Sequence, residues 1–264
     1  MSNIVIQKFG GTSLADTKRF KAVAKIIKET SETGKKVVAV VSAMAGETQR
    51  LIDLAKGVQE IPDPREYDAL ISSGEQVSVA LLAMSLRSEN LKSKSYTAFQ
   101  LGLRTDDYHG KARISSIDTK NLLMDISSNI TPVITGFQGI NEEGDITTLG
   151  RGGSDTSAVA LAVALNAEEC QIYTDVNGVY TTDPNVYEKA KKIDKLTFEE
   201  MLELSSLGAK VLQIRSVEFA SKYNMPIRVK SSFTNEEGTL INGDENMEDA
   251  LISGVTHTND EAKL

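Results

Sequence analysis

The segment Lys36-Val37-Val38-Ala39-Val40-Val41 is apolar at every position after the lysine, without the alternation that a strand with one wet face requires. A run of this kind suits a strand covered on both faces, and Pro132–Ile134 shares the property. Around them, strand-like and helix-like runs alternate along the chain, the pattern of repeated βα units. The fold class that follows is α/β, a three-layer αβα sandwich around a mainly parallel, open sheet.

Further strands are expected at Ile4–Ile6, Ser93–Thr97, Thr131–Gly136, Gln171–Asp175, Ile227–Lys230 and near Thr239–Ile241. Phe20, Val23, Ala24 and Ile27 fall at i, i+3, i+4 and i+7 and mark the first helix. Others are expected around Leu51, Leu54 and Ala55, over a long Arg65–Ser88, near Thr119–Ser127, over Asp155–Leu165 and over Gly208–Lys222. Two hairpins interrupt the pattern: "NEEGD" at Asn141–Asp145, and "DVNGVY" at Asp175–Tyr180, where Asn177-Gly178 is a type I′ turn signal. No internal repeat or low-complexity linker breaks residues 1–264, so one compact domain with two lobes is expected.

Between the first strand and the first helix stands "QKFGGTSLADTKRF", Gln7 to Phe20. A glycine pair there is retained where the chain needs positive φ or where something approaches the backbone closely. Ser13 with Asp16 reads as a capping-box start, and free N–H groups beside the ammonium of Lys8 would suit an anion. A turn packed tightly for steric reasons alone has the same composition, and neither G-x-x-x-x-G-K-[ST] nor G-x-G-x-x-G is present. A second pair, Gly152-Gly153, changes the balance. It repeats the arrangement, with Arg151 before it and Ser154, Asp155 and an apolar helix after it. Two such turns at the carboxyl ends of strands suggest two anionic ligands, a phosphate donor and a carboxylate, and hence a small-molecule kinase.

Composition is consistent with this. With 264 residues the chain can bury roughly 70 to 75% of its unfolded surface. Its 29 basic and 37 acidic side chains give a net charge of −8, which argues against nucleic acid or an anionic membrane as partner. Cys170 stands alone, so neither a disulfide framework nor a cysteine metal cluster is expected, and a reducing, cytoplasmic setting fits. His109 and His257 have no ligand-spaced companion, so no protein-held metal is expected. The apolar stretch in "MSNIVIQKFGG" is too short for a signal peptide, and the longest apolar run, Ala158–Leu165, is far short of a bilayer span.

"KFGGTS", "VVSAMAGET", "SSGEQVS", "GFQG", "TTLGRGGSDTSA", "IYTDVNGVYTTDP", "FEEMLELSSLGAKVL" and "GTLI" follow one another in the order and at the spacings of bacterial aspartate kinases, within the amino-acid kinase family. The resemblance runs from Ile4 to about Lys263. "KFGGTS" together with "GRGGSD" distinguishes aspartate kinases from acetylglutamate, glutamate 5-, carbamate and uridylate kinases. The resemblance implies transfer of the γ-phosphoryl of ATP, with Mg2+, to the side-chain carboxylate of L-aspartate, giving 4-phospho-L-aspartate, the first step of lysine, threonine and methionine biosynthesis. The acceptor carboxylate, with a reference pKa of about 3.9, is ionised at neutral pH and needs no general base. Such a site must mainly bring two anions together in line.

On this resemblance Lys8 neutralises charge on the transferring phosphoryl group, Gly10, Gly11 and Ser13 hold phosphates, and Asp155 orients the lysines. Thr174, Asp175, Tyr180 and Asp183 face ATP, with Lys210 as a second nucleotide-contacting lysine. Arg151 would hold the α-carboxylate of aspartate with its planar fork, within the turn Gly152, Gly153 and Ser154; Glu75 would meet the α-ammonium; Ser42 and Thr48 would hydrogen-bond the acceptor. After "TTDP" the family commonly has arginine, where this chain has Asn185; Lys189, Lys191 or Lys192 are candidates to replace that contact.

Two alternatives accompany this reading. One is another amino-acid kinase, such as acetylglutamate kinase, whose acceptor lacks a free ammonium; the other is a non-catalytic nucleotide-binding relative. The closing "SGVTHTNDEAKL" resembles the junction into the first ACT domain of feedback-inhibited relatives. No ACT domain is expected within residues 1–264. Hyperbolic aspartate dependence without inhibition by lysine or threonine is therefore expected of this chain, which is read either as a piece of a longer protein or as a short form controlled by a separate subunit bearing ACT domains. The resemblance leaves room for a homodimer.

Overall fold

The computed structural model describes residues 3–184, 186–206 and 211–243. The chain opens with β1 (Ile4–Phe9), a 3-10 turn (Thr12–Leu14), α1 (Thr17–Glu32) and β2 (Lys36–Val41). α2 (Glu47–Val58), α3 (Pro64–Ile71) and α4 (Ser73–Ser88) precede β3 (Ser93–Tyr96), α5 (Ala98–Leu101), β4 (Leu103–Thr105) and β5 (Ile114–Ile117). α6 (Lys120–Ser127), β6 (Thr131–Thr135), β7 (Gln138–Ile140), β8 (Ile146–Thr148), α7 (Gly153–Ala164) and β9 (Glu169–Thr174) come next. The remaining described elements are β10 (Val179–Tyr180), β11 (Lys192–Ile193), β12 (Lys195–Thr197), α8 (Phe198–Ser206), α9 (Ile214–Tyr223), β13 (Ile227–Ser231) and β14 (Thr239–Asn242).

Eight strands form the main sheet in the order β12-β14-β13-β9-β1-β2-β6-β3, parallel throughout except where β13 meets β14. Alternation along each strand divides the core into two layers. Val37, Ala39 and Val41 of β2 and Phe9 of β1 pack with Phe20, Val23 and Ile27 of α1 and with Val79, Leu82 and Leu86 of α4. Ile4 and Ile6 of β1, with Val38 and Val40 of β2, face the other way, against Ala158, Val159, Leu161 and Ala162 of α7. The unalternated run at Lys36–Val41 is thus covered on both faces, as expected. A four-stranded sheet, β5-β4-β7-β8, stands apart from the main one. Its β7–β8 pair is the expected "NEEGD" hairpin, with Asn141 N donating to Asp145 O at 3.1 Å and Gly144 at φ +90°.

The structure corrects four local expectations. Asp16, not Ser13, caps α1: its carboxylate accepts from Arg19 N at 2.9 Å, whereas Ser13 lies inside the 3-10 turn. The single helix over Arg65–Ser88 is two helices broken at Ser72, whose carbonyl accepts from the buried side chain of Gln138 at 2.9 Å. Pro64–Ser88 taken together is long and apolar enough for a bilayer span, but half of its apolar window is buried inside the protein and it carries the buried acids Asp68 and Glu75. Asn177-Gly178 does not close a hairpin onto β9, since β10 pairs instead with β11. The helix expected over Gly208–Lys222 is α9, which begins at Ile214; residues 207–210, Asn185 and residues 244–264, which include the closing "SGVTHTNDEAKL", lie outside the described residues.

The corrected cap has a measurable consequence. Asp16→Ala should destabilise the protein by about 1 kcal/mol, as loss of an N-cap carboxylate typically does. Denaturant unfolding checks this, and an unchanged midpoint would return the cap to another residue.

Candidate functional site

At the carboxyl edge of the main sheet, consecutive loops are laced together by single backbone hydrogen bonds. Ser232 N donates to Thr174 O (2.9 Å), Gly10 N to Tyr173 O (3.2 Å), Ser42 N to Phe9 O (3.1 Å) and Gly136 N to Val41 O (2.9 Å). Five adjacent strands therefore deliver their loops to one rim, the position at which open α/β sheets bind ligands.

Lys8 follows Ile4 and Ile6 on the α7 face of β1, so the two-residue strand period carries its ammonium to the start of that helix. Asp155 occupies the first turn of α7, and its carboxylate lies 2.6 Å from Lys8 Nζ, the two side chains being 12% and 10% exposed. A cation so nearly buried beside the positive end of a helix requires an opposing charge, and Asp155 supplies it. Both groups keep an edge toward solvent, from which a ligand can reach them.

The two glycine turns differ. A Cβ on Gly10 would lie 3.6 Å from Lys8 Nζ, so any larger side chain there would cover the ammonium; one on Gly11 would press against Ala43 O at 3.0 Å. The Gly10 N–H continues the β1–β9 ladder to Tyr173, and the Ser13 hydroxyl is buried against Ser232 Oγ at 2.7 Å. Both groups thus have partners within the protein, and the turn opens a three-residue 3-10 segment rather than the helix itself. The second turn does open a helix. Gly152 caps α7 at φ +70°, where a Cβ would fall 1.7 Å from Gln213 Cγ, and a Cβ on Gly153 would meet Leu149 and Phe137 at about 3 Å. Ser154 is buried beneath Gly136, whereas Arg151 is exposed and makes no ion pair among the described residues.

Glu75 reaches the same rim from the first turn of α4, only 3% exposed. Its Oε1 accepts from Ala43 N at 3.0 Å, beside Ser42, while Oε2 is buried without a hydrogen-bond partner. Burial pushes its carboxyl up to about 7, against the lowering effect of the backbone donors. Gly74 permits the approach, since a Cβ there would stand 2.8 Å from Ala43 Cβ. Thr48 is half-buried in the first turn of α2, which follows the same loop. Sequence reasoning missed Thr135, the last residue of β6, whose hydroxyl is likewise buried without a partner; an isolated threonine at a strand end gives no signal.

Beyond β9, Thr174 Oγ1 donates to Asp175 at 3.0 Å, Asp175 is exposed, Tyr180 is half-buried on β10, and the Asp183 carbonyl accepts the N–H groups of Val186 and Tyr187. Lys210 lies outside the described residues. A cluster the sequence did not announce adjoins this side. Arg19 Nη2 donates to Ser232 O (2.7 Å) and Oγ (3.0 Å), and its guanidinium lies 3.8 Å above the Phe233 ring. Cys170 is buried in the α7-side core, which raises its thiol far above the ordinary range and keeps it inert.

Glu75 ties stability to pH. Below about 4.5 the carboxyl is protonated in both folded and unfolded chains; between there and about 7 only the unfolded chain releases the proton, so stability falls as pH rises, by about 3 kcal/mol in all, and then levels off. Glu75→Gln should remove that descent. Urea unfolding of both proteins from pH 4.5 to 7.5 checks it, and parallel curves would mean an unperturbed carboxyl.

Comparison with known proteins bears on this geometry. Residues 3–231 match the amino acid kinase family. An aspartate kinase of Stutzerimonas stutzeri is 56% identical over 263 residues, covering 99% of this chain and 64% of the relative, so the chain spans somewhat less than two thirds of that protein. A Synechocystis aspartate kinase crystal structure superposes with TM-score 0.81 at 46% identity, covering 91% of this chain and 40% of that one. E. coli aspartokinase III in complex with aspartate and ADP superposes with TM-score 0.84 at 31% identity, covering 92% of this chain and 65% of that one. With its parallel sheet, its two glycine turns and a match over residues 3–231, the chain belongs to the amino acid kinase family.

Proposed function

We propose that this chain carries the catalytic unit of an aspartate kinase, which transfers the γ-phosphoryl group of ATP to the β-carboxylate of L-aspartate. The observation that carries the reading is the juxtaposition, on one rim, of the Lys8–Asp155 pair with a buried, half-satisfied carboxylate at Glu75. Names and ligands of the relatives support it: the E. coli protein was crystallised with aspartate and ADP.

In the reaction a carboxylate oxygen of aspartate forms a bond to the γ-phosphorus while the bond to the β,γ-bridging oxygen breaks, giving 4-phospho-L-aspartate and ADP. No proton moves, because the acceptor is already an anion. The enzyme's task is charge and alignment. Lys8 sits where negative charge spreads over the phosphoryl oxygens, and Asp155 holds its ammonium in place. Mg2+ arrives with the nucleotide as part of the substrate and screens the phosphate charges. Gly10 keeps the face of Lys8 open, and Gly11 seats the turn against the β2–α2 loop. Thr174, Asp175, Tyr180 and Asp183, with Lys210, form the nucleotide side.

At the acceptor end, the exposed fork of Arg151 takes the α-carboxylate in two parallel hydrogen bonds, and Glu75 takes the α-ammonium. Ser42 and Thr48 flank the acceptor. An N-acylated acceptor would leave Glu75 buried opposite a neutral amide, which disfavours acetylglutamate kinase chemistry.

Incubation with MgATP and aspartate, glutamate or N-acetylglutamate, with hydroxylamine to trap acyl phosphate, tests the substrate: hydroxamate should form with aspartate. Hydroxamate from N-acetylglutamate alone would reassign the acceptor, and none from any acid would make the chain a binding protein. Lys8→Met should remain folded, with stability reduced because Asp155 loses its partner, and lose turnover by hundreds-fold or more, since one preorganised charge at such a site supplies about 3 to 4 kcal/mol. Wild-type-like turnover would remove Lys8 from the mechanism. Arg151→Lys should weaken aspartate binding and leave ATP binding nearly unchanged; an equal loss in calorimetric titration with ATP would exchange the roles of the two glycine turns.

A further inference from the structure

Asp68 is a carboxylate with 0% exposure, placed on α3 rather than on any loop of the site. Burying such a charge is costly unless its oxygens are satisfied by donors. They are. Oδ2 accepts from Thr148 N (2.9 Å), Gly110 N (2.9 Å) and His109 Nδ1 (3.0 Å), and Oδ1 accepts from Thr148 Oγ1 at 2.6 Å. The four donors come from two segments remote in sequence. Thr148 ends β8 three residues before Arg151; His109 and Gly110 belong to the loop between β4 and β5.

These segments also hold each other. Ala112 N donates to Thr148 O at 2.9 Å, and the positive φ of Gly150 (+77°) brings it so near the Gly110 carbonyl that a Cβ would lie 2.9 Å away. Arg215 of α9 also donates to both segments, to Leu149 O (2.6 Å) and Ala112 O (3.2 Å). The strand end and turn leading to Arg151 are thereby fixed while the Arg151 side chain stays exposed. α3, which carries Asp68, leads through Ser72 into α4, which carries Glu75 seven residues later.

We infer that Asp68 is a positioning residue: through Thr148 and Gly110 it fixes the turn bearing Arg151 at a set distance from Glu75, so that the carboxylate and the ammonium of one amino acid are gripped together. This rests on the aspartate kinase reading above. Asp68 touches no substrate. Its influence falls on the acceptor and not on the nucleotide, because the clamp joins the two acceptor-binding elements and makes none of its four hydrogen bonds to β9, β10 or β13.

A double-mutant cycle decides it, with aspartate and ATP varied separately in the hydroxamate assay. Asp68→Ala should raise the KM for aspartate at least tenfold and that for ATP less than twofold, and Asp68→Asn, which keeps the shape and one acceptor oxygen, should recover most of the loss. In an Arg151→Ala background the further effect of Asp68→Ala on aspartate should shrink below about threefold. Effects that multiply in full, or an equal rise in the KM for ATP, would overturn the inference, since general loosening of the fold behaves that way. Should Asp68→Ala not fold, Thr148→Val, which deletes one donor, takes its place in the same cycle. A severalfold rise in aspartate KM that vanishes without Arg151 then supports the clamp, and no change overturns it. An unmodified protein that forms no hydroxamate from aspartate overturns the functional reading and this inference with it. Normal hydroxamate with fully multiplying variants overturns the inference alone.

Discussion

The ion pair between Lys8 and Asp155 is the contact on which the rest of the site depends. An ammonium near the middle of a parallel sheet is tolerable only with a carboxylate beside it, and 2.6 Å is full ionic contact. That contact requires α7 to begin directly over the end of β1. The helix is pinned there by its own composition: every residue from Gly153 to Ala162 is buried. A helix buried all round over these turns has no freedom to slide or roll toward solvent. The pair is thus held by packing on the Asp155 side and by strand register on the Lys8 side, which is the preorganisation that charge stabilisation needs.

Sheet order turns this contact into a cleft. β1 pairs with β2 on one side and with β9 on the other, and the helices that follow β1 and precede β9 cover opposite faces, α1 one and α7 the other. The loops therefore leave the sheet in diverging directions at β1, which opens the rim between them. The glycines serve that geometry in different ways. Gly152 and Gly153 let α7 start in a space already occupied by Gln213, Leu149 and Phe137; Gly10 leaves the ammonium uncovered.

Much of this was legible in the sequence. The apolar run at Lys36–Val41, the αL cap at Gly152 and the five-residue loop at Asn141–Asp145 each carry their structure in local chemistry, and local chemistry sufficed. Where the reading failed, a partner distant in sequence decided. Ser13 and Asp16 are both competent caps, and Ser13 is taken by Ser232, 219 residues away. Asn177-Gly178 is a strong turn signal, yet the Asn177 side chain is engaged by Glu236 and Thr234, and Gly178 packs so closely on Thr239 that the chain crosses to β11. Gln138 breaks a helix from 66 positions away. Asp68 carries no local signal of its role, because its donors come from 41 to 80 residues downstream.

On the proposed reading, selectivity lies in what the site leaves unsatisfied. The Glu75 carboxylate has one oxygen bonded to Ala43 N and the other buried without a partner, and burial has raised its affinity for a proton until neutralisation comes at about pH 7. An α-ammonium supplies charge and hydrogen bonds together, so its binding relieves a penalty already present in the empty protein. A dicarboxylic acid lacking the amine fills the same volume and leaves that penalty standing. A site holding a buried polar group in wait rejects the analogue without its partner far more strongly than a merely shaped pocket does. The requirement is geometric as well as electrostatic: Glu75 gains from the ammonium only if Arg151 holds the α-carboxylate of the same molecule, so discrimination resides in the distance between two elements and not in either residue alone.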